Sequence, residues 1–325
     1  MILYGMAALK IVAGLSGAAD AALVRELIAA GADEFFCGYV PAAWSREFGY
    51  EFSPNRRYRR ENQITSRSAL AAVCGAAAAQ GRPVSVAFND HLVTQRAWRQ
   101  GRLLLREAVE AGVSAVIVAD PAIIRVVKSE FPSLAVHVSG DAGACNAASA
   151  DLFFTLGADR LIFPRELGWR DLKSSLAELR GPRREFEAFI MGEPCVFDGA
   201  RCFTEHGYDL GRDFCSAHLV KSLYRRGGKS PECLVPEQEK FLRQYRTRKP
   251  WEVGKCGLCA IRSLARLGGT HLKIPGRASN ALAAVRLVRR MVDSGAGPVQ
   301  ARRLMAVPDL CDSRFLCYYP ESGRG

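Results

Sequence analysis

A chain of 325 residues with 49% hydrophobic and 24% charged content can bury a full core, and it is too evenly mixed to be a disordered or fibrous protein. Lys and Arg number 45 against 33 Asp and Glu, a formal net charge of +12, which suits either a phosphate-rich partner such as RNA or a solvated basic surface. No run approaches the roughly 18 apolar residues of a spanning helix, and Lys10 interrupts the apolar start "MILYGMAALKIVAGL", so a cytoplasmic protein without a membrane span is expected.

Apolar, β-branched runs alternate with amphipathic stretches from the start, the pattern of repeated βα units. "KIVAGL" (10–15) precedes a helix "DAALVRELIAAG" ending at Gly31, and "EFFCGYV" (34–40) precedes a helix over 66–81. "PVSVAFN" (83–89) leads to "RQGRLLLREAVEAG", "AVIVAD" (115–120) to "PAIIRVVKSEF", and "LAVHVSG" (134–140) to "NAASADLFFTLG". "RLIFPREL" (160–167) leads to "WRDLKSSLAEL", and "EFEAFIMG" (185–192) is the seventh strand. From 193 to 257 the chain is polar, basic and Cys-bearing, far longer than an ordinary connection. Regularity returns with "AIRSLARLGG", an eighth strand "HLKIPG" (271–276) and the helix "NALAAVRLVRRMVDSG".

Eight strands interleaved with helices predict an α/β fold: a (β/α)8 TIM-like barrel, regular or fragmentary, with a Cys-rich insertion between strands seven and eight. The expected organisation is residues 1–192 for the first seven βα units, 193–257 for the insertion, and 258–325 for the last strand, closing helices and tail. Catalytic groups of such a barrel sit where strands end and loops begin. Those ends carry Asn89 and Asp90, Asp120, Ser139 and Asp141, Arg165 and Glu166, Glu193 and Cys195, then Lys273 and Arg277.

Eleven cysteines in a reducing compartment point to thiols or metal ligands rather than disulfides. Cys195, Cys202 and Cys215 lie in the insertion, and Cys256 and Cys259 form a C-x-x-C before the next helix. Four of these five would complete a zinc or iron–sulfur site, since thiolates are soft ligands. Spacing alone leaves iron–sulfur, zinc and unliganded thiols open, with the irregular spread favouring a cluster. Cys37 and Cys74, in apolar segments, are expected in the core, and Cys311 and Cys317 fall in the tail.

These residues occur in an order that resembles peptidase family U32, which includes collagenase-like proteases and oxygen-independent hydroxylases. "LIAAGADEFFCG" is similar to its "GADxVYxG" strand, and "HVSGDAGACNAASADLFFTLGADRLIFPREL" to its "H-x-S-x-Q-x-x-x-x-N" and "R-E-L" segments. "FIMGEPCVFDGARCF" resembles its cysteine signature, and "HLKIPGR" its "S-x-K-I-E-G-R". Gly140-Asp141 stands where the family has Thr-Gln, and Pro275 where it has Glu.

The resemblance implies a 4Fe-4S cluster on Cys195, Cys202, Cys215 and either Cys256 or Cys259. It implies a hydroxylase acting on a small aromatic or isoprenoid precursor or an RNA base, with prephenate as a hydroxyl donor in some branches. A homologous partner subunit also belongs to that picture. A peptidase is the alternative, and an RNA-binding or non-catalytic subunit is the third reading. Peptide hydrolysis needs an activated nucleophile or a metal-bound water, and none of the five histidines lies in H-E-x-x-H or beside G-x-S-x-G. Arg165, Glu166, Asp141 and Arg277 are therefore the expected catalytic groups, with Asn89, Asp90, Ser139 and Lys273 binding an anionic small molecule.

Overall fold

The barrel strands are largely apolar and largely buried on both faces, between helices outside and lumen inside, as a parallel sheet requires. The computed structural model describes residues 9–50, 52–57, 59–179, 184–192, 199–200, 255–275, 281–304, 317–320 and 322. The strands are β1 (Lys10–Gly14), β2 (Glu34–Gly38), β3 (Val84–Phe88), β4 (Ala115–Val118), β5 (Ala135–Val138), β6 (Arg160–Ile162) and β7 (Glu185–Phe189), followed by β8 (Met191–Gly192), β9 (Lys255–Cys256) and β10 (His271–Ile274). Eight of them close a barrel in the order β1-β10-β7-β6-β5-β4-β3-β2, and all eight pairings are parallel. The protein is a (β/α)8 barrel, closed rather than fragmentary.

The helices are α1 (Ala21–Ala29), α2 (Ala42–Phe48), α3 (Arg67–Ala78), α4 (Gln95–Glu110), α5 (Pro121–Glu130), α6 (Ala147–Thr155), α7 (Trp169–Glu178), α8 (Ile261–Leu267), α9 (Ala281–Ser294) and α10 (Pro298–Leu304). Local sequence sets their starts. Asp20, Ser66, Thr94 and Asp120 each accept a backbone N–H of the first turn, and Asn146 forms a capping box with Ser149. Helix α2 falls in a stretch that carries no long apolar period. It is held by tertiary contact instead: Trp44 is buried, stands edge-on to Phe88 with ring centroids 6.1 Å apart, and donates to Phe52 O at 2.8 Å. Gly31, after α1, has φ 104°, and a Cβ there would meet the Arg289 side chain at 2.6 Å.

Strand β8 pairs antiparallel with β9, Met191 opposite Cys256 and Gly192 opposite Lys255. This small ribbon ties together the two ends of the long segment 193–254. The C-terminal stretch returns to the same ribbon: the backbones of Cys317 and Cys256 form a parallel β-bridge, Tyr318 N donates to Cys256 O at 3.0 Å, and Tyr318 Oη donates to Gly192 O at 2.5 Å. No helix among the described residues is long and apolar enough to cross a membrane. Cys37 and Cys74 lie in the core as their apolar surroundings require, and burial pushes the Cys74 thiol up to about 12.

Candidate active site

The C-terminal ends of β3, β5 and β6 open onto one side of the barrel, and the chain places a polar residue just beyond each. Asn89 follows β3, Ser139 and Asp141 follow β5, and Arg165 and Glu166 follow β6. Ser139 ends its strand as the cap of a 3-10 turn over Gly140–Ala142, accepting from Asp141 N at 3.2 Å. That turn aims the Asp141 carboxylate back across the mouth. Asn89 Nδ2 donates to Asp141 Oδ2 at 2.9 Å and to Ser139 Oγ at 3.0 Å, while Arg165 Nη2 donates to Asp141 Oδ1 at 3.2 Å. Asp141 is 9% exposed, so the carboxylate is held by an amide and a guanidinium largely out of water, where such bonds are at their strongest.

Arg165 lies over the Phe189 ring, 5.7 Å from its centroid, and its Nε is 3.9 Å from Glu166 Oε2. Glu166 Oε1 accepts from Gly199 N at 2.9 Å, and His91 Nε2 contacts Gly199 O at 2.8 Å. Gly199 fits against this group because it has no side chain; a Cβ there would stand 2.2 Å from Asp141 Oδ1 and 3.2 Å from Arg165 Nη2. No motif in the sequence marks His91, and although Gly199 lies within the cysteine signature, that the two meet shows only in the fold. Asp90 is adjacent: its N–H donates to Pro54 O at 3.2 Å and its Oδ1 accepts from His91 N at 2.8 Å.

Asn89, Ser139, Asp141, Arg165 and Glu166 thus converge at the mouth. Lys273 does not join them. It is 6% exposed inside the barrel, donates to Glu187 Oε1 at 2.6 Å and caps the Phe36 ring at 3.9 Å from its centroid. Arg277 lies outside the described residues.

Below the mouth, charged residues at the starts of strands fill the lumen. Arg160 on β6 reaches Glu34 on β2 at 2.8 Å and Glu187 at 3.0 Å, and Glu34 also meets His271 Nε2 at 3.0 Å. Strands β6 and β2 are not neighbours in the sheet, so the first contact crosses the barrel. Burial would raise the Glu34 carboxyl, but the His271 and Arg160 hydrogen bonds and the Arg160 charge overcome it and hold the group well below the carboxylate range. Glu187 ends at about 2 by the same balance, burial against the charges of Lys273 and Arg160. These pairings make the lower barrel a structural ion network.

Of the three described histidines, His271 alone touches a hydroxyl, Thr270 Oγ1 at 2.6 Å. That hydroxyl also bonds both backbone groups of Phe186, at 2.9 and 3.0 Å, at the end of the barrel opposite the mouth. Among the described residues no set of three or more His, Cys, Asp or Glu is disposed to hold a metal ion. Cys195, Cys202 and Cys215 lie outside the described residues. Of the other two cysteines, Cys256 stands opposite Met191, four residues before Cys195, whereas Cys259 Sγ faces Pro298 O at 3.8 Å.

A family model described as peptidase family U32 matches residues 19–299. The chain is 33% identical over 109 residues to tRNA hydroxylation protein P of Escherichia coli K12, covering 34% of this chain and 23% of that protein. It is 26% identical over 205 residues to tRNA hydroxylation protein P1 of Bacillus subtilis 168, covering 58% and 45%. Over another 205-residue match it is 26% identical to the 23S rRNA 5-hydroxycytidine C2501 synthase of Escherichia coli K12, covering 62% and 28%. Each match therefore spans less than half the length of the relative.

Proposed function

The chain belongs to peptidase family U32, and from that premise we propose that it is an RNA-modifying enzyme that adds a hydroxyl group to an RNA base without molecular oxygen. The observation that carries this reading is the Asp141 carboxylate, held by Asn89 and Arg165 at the mouth of the barrel. A buried, oriented carboxylate beside Glu166 can accept or return a proton at a base carbon or its new oxygen. Among the described residues the one imidazole that touches a hydroxyl is at the opposite end, with its Thr270 partner tied to backbone, so the described mouth gives peptide hydrolysis no hydroxyl–imidazole pair. Relatives whose names specify tRNA and 23S rRNA hydroxylation support the choice of RNA. A base would have to leave its stack to enter the mouth, as in other enzymes that act on bases.

We assign a 4Fe-4S cluster to Cys195, Cys202, Cys215 and Cys256. Cys256 suits this role better than Cys259, because the β8–β9 register sets it beside the chain entering the Cys195 segment, while the Cys259 thiol is turned to α10. Such a cluster supplies electron transfer when bound. Arg165 is the guanidinium that a carboxylated hydroxyl donor such as prephenate would meet. The test is mass spectrometry of nucleosides from total RNA of cells with and without the gene. A nucleoside heavier by one oxygen should vanish on deletion and return with the wild-type gene, but not with Asp141→Ala; identical digests would overturn the reading.

A further inference from the structure

Helices α8, α9 and α10 read "IRSLARL", "ALAAVRLVRRMVDS" and "PVQARRL": seven arginines against one carboxylate, Asp293. Arg289 takes that carboxylate at 3.5 Å and is itself pinned to Asp33 and Gly31 O. Arg262, Arg266, Arg286 and Arg290 are all exposed, and none makes an ion pair among the described residues. Elsewhere on the barrel exposed arginines are mixed: Arg67 pairs with Glu110 and Arg96 with Glu47, while Arg25, Arg46, Arg99, Arg106 and Arg125 make no ion pair among the described residues. What sets α8, α9 and α10 apart is how few acids they carry.

The spacing is as telling as the count. Arg262 and Arg266 are four apart on α8, and Arg286 and Arg290 are four apart on α9, so each pair shares one helix face. Like charges at that spacing cost a few tenths of a kcal/mol, and mixed signs are the usual surface pattern. The two helices are neighbours, flanking β10, and Arg262 and Arg289 line a common groove of about 230 Å³. Arg262 lines that groove with Leu9, Gly295 and Ala296, and Arg286 and Arg290 stand beside Ala29 and Ala30 at the end of α1, so the face lies on the flank of the barrel towards the strand starts.

We propose that this face of α8 and α9 binds the phosphate backbone of the substrate RNA, with Arg262, Arg266, Arg286 and Arg290 as its contacts; the proposal rests on the reading that the substrate is RNA. Guanidinium forks match phosphate oxygens, and phosphate contacts fix position without reading sequence. The face holds the nucleic acid while a target base enters beside Asp141. It explains why a large positive charge is left unneutralised on one flank.

The test uses the full-length protein and transcribed tRNA, with affinity measured across a salt series. The R262Q/R266Q/R286Q/R290Q variant should lose at least tenfold in affinity near physiological salt, and its log–log salt slope should shrink by about 3. An R99Q/R106Q variant removes two exposed, unpaired arginines from α4 on the far side of the barrel and should change affinity less than threefold. If the fourfold variant melts early, R286Q/R290Q alone should give about half the slope change. Equal losses in the α9 pair and the α4 pair overturn the assignment of this face while leaving RNA as substrate. Anionic vesicle binding that depends on the four arginines, with tRNA binding intact, also overturns it. No tRNA retention by the wild type even at low salt sinks the face and the RNA reading together.

Discussion

Asn89 and Asp141 are 52 positions apart in sequence, yet the amide of one donates to the carboxylate of the other at 2.9 Å. The contact joins the ends of β3 and β5 across the intervening β4, and so it spans part of the barrel mouth. Neither residue could be oriented without the fold: the Ser139 turn aims Asp141, and β3 delivers Asn89.

Removing the amide should therefore damage the site before it damages the barrel. Asn89→Ala strips a donor from Ser139 Oγ and from a nearly buried carboxylate and should cost about 1–3 kcal/mol. Asn89→Asp should be worse for activity, because it sets a second carboxylate against Asp141. Urea unfolding together with the yield of modified nucleoside checks both; wild-type yield from Asn89→Asp would remove Asp141 from the account.

The Lys273–Glu187 pair is expected to matter for stability alone. Lys273→Met leaves Glu187 buried beside Arg160, and breaking one partner of a buried pair costs about 3–5 kcal/mol. Glu187→Gln should cost a similar amount, and the double variant less than the sum of the two. Activity per folded molecule should be unchanged in Lys273→Met. A loss of substrate binding at wild-type stability would return Lys273 to the mouth.

Acid should weaken the barrel from near neutrality downward. Burial first, and the Arg160 charge second, press the His137 imidazole from 6.5 down to about 3, although Glu187 and Glu34 partly oppose this and Lys273 adds to it. The fold thus holds His137 neutral while the unfolded chain takes a proton, so its contribution is complete above pH 6.5 and falls as pH drops towards 3. Glu187, lowered from 4.5 to about 2, adds a second loss in the same direction below pH 4.5. The slope from His137 is at most about 1.4 kcal/mol per pH unit. Unfolding free energies from pH 7 to 5 should fall in the wild type and flatten in His137→Gln; parallel curves would show that the imidazole is not the cause.

The barrel is legible in the sequence because its strands, buried on both faces, are nearly pure apolar runs such as "AVIVAD", and because capping residues mark the helix starts. Five mouth residues are legible for a related reason: Asn89, Ser139, Asp141, Arg165 and Glu166 are polar groups just beyond such runs. Lys273 is misplaced by the same logic, because the run "HLKIPG" suggests a strand through Gly276, whereas β10 ends at Ile274 and Lys273 faces Glu187 within it. The lumen network shows in the sequence only as charges embedded in apolar strands, in "EFFCG", "RLI", "EFEAF" and "HLKI"; its pairings cross the barrel and have no sequence spacing. The β8–β9 ribbon is two residues per strand and leaves no periodic signal.

The cluster assignment separates two cysteines three residues apart. Protein prepared without oxygen should hold about four irons and four acid-labile sulfides per chain. Cys256→Ser should lose or destabilise them and Cys259→Ser should keep them, as should Cys37→Ala and Cys74→Ala. Stoichiometric zinc without sulfide would exclude the cluster, and a colourless Cys259→Ser beside an intact Cys256→Ser would reverse the ligand assignment.

The most direct test of oxygen-independent RNA hydroxylation is the isotopic origin of the added oxygen. Cells carrying the gene are grown under oxygen-18 gas, and the nucleoside that depends on the gene is weighed. The account predicts a mass increase of one ordinary oxygen, with no incorporation from the gas, and the same nucleoside in cells grown without oxygen. A label carried in from the gas would contradict it.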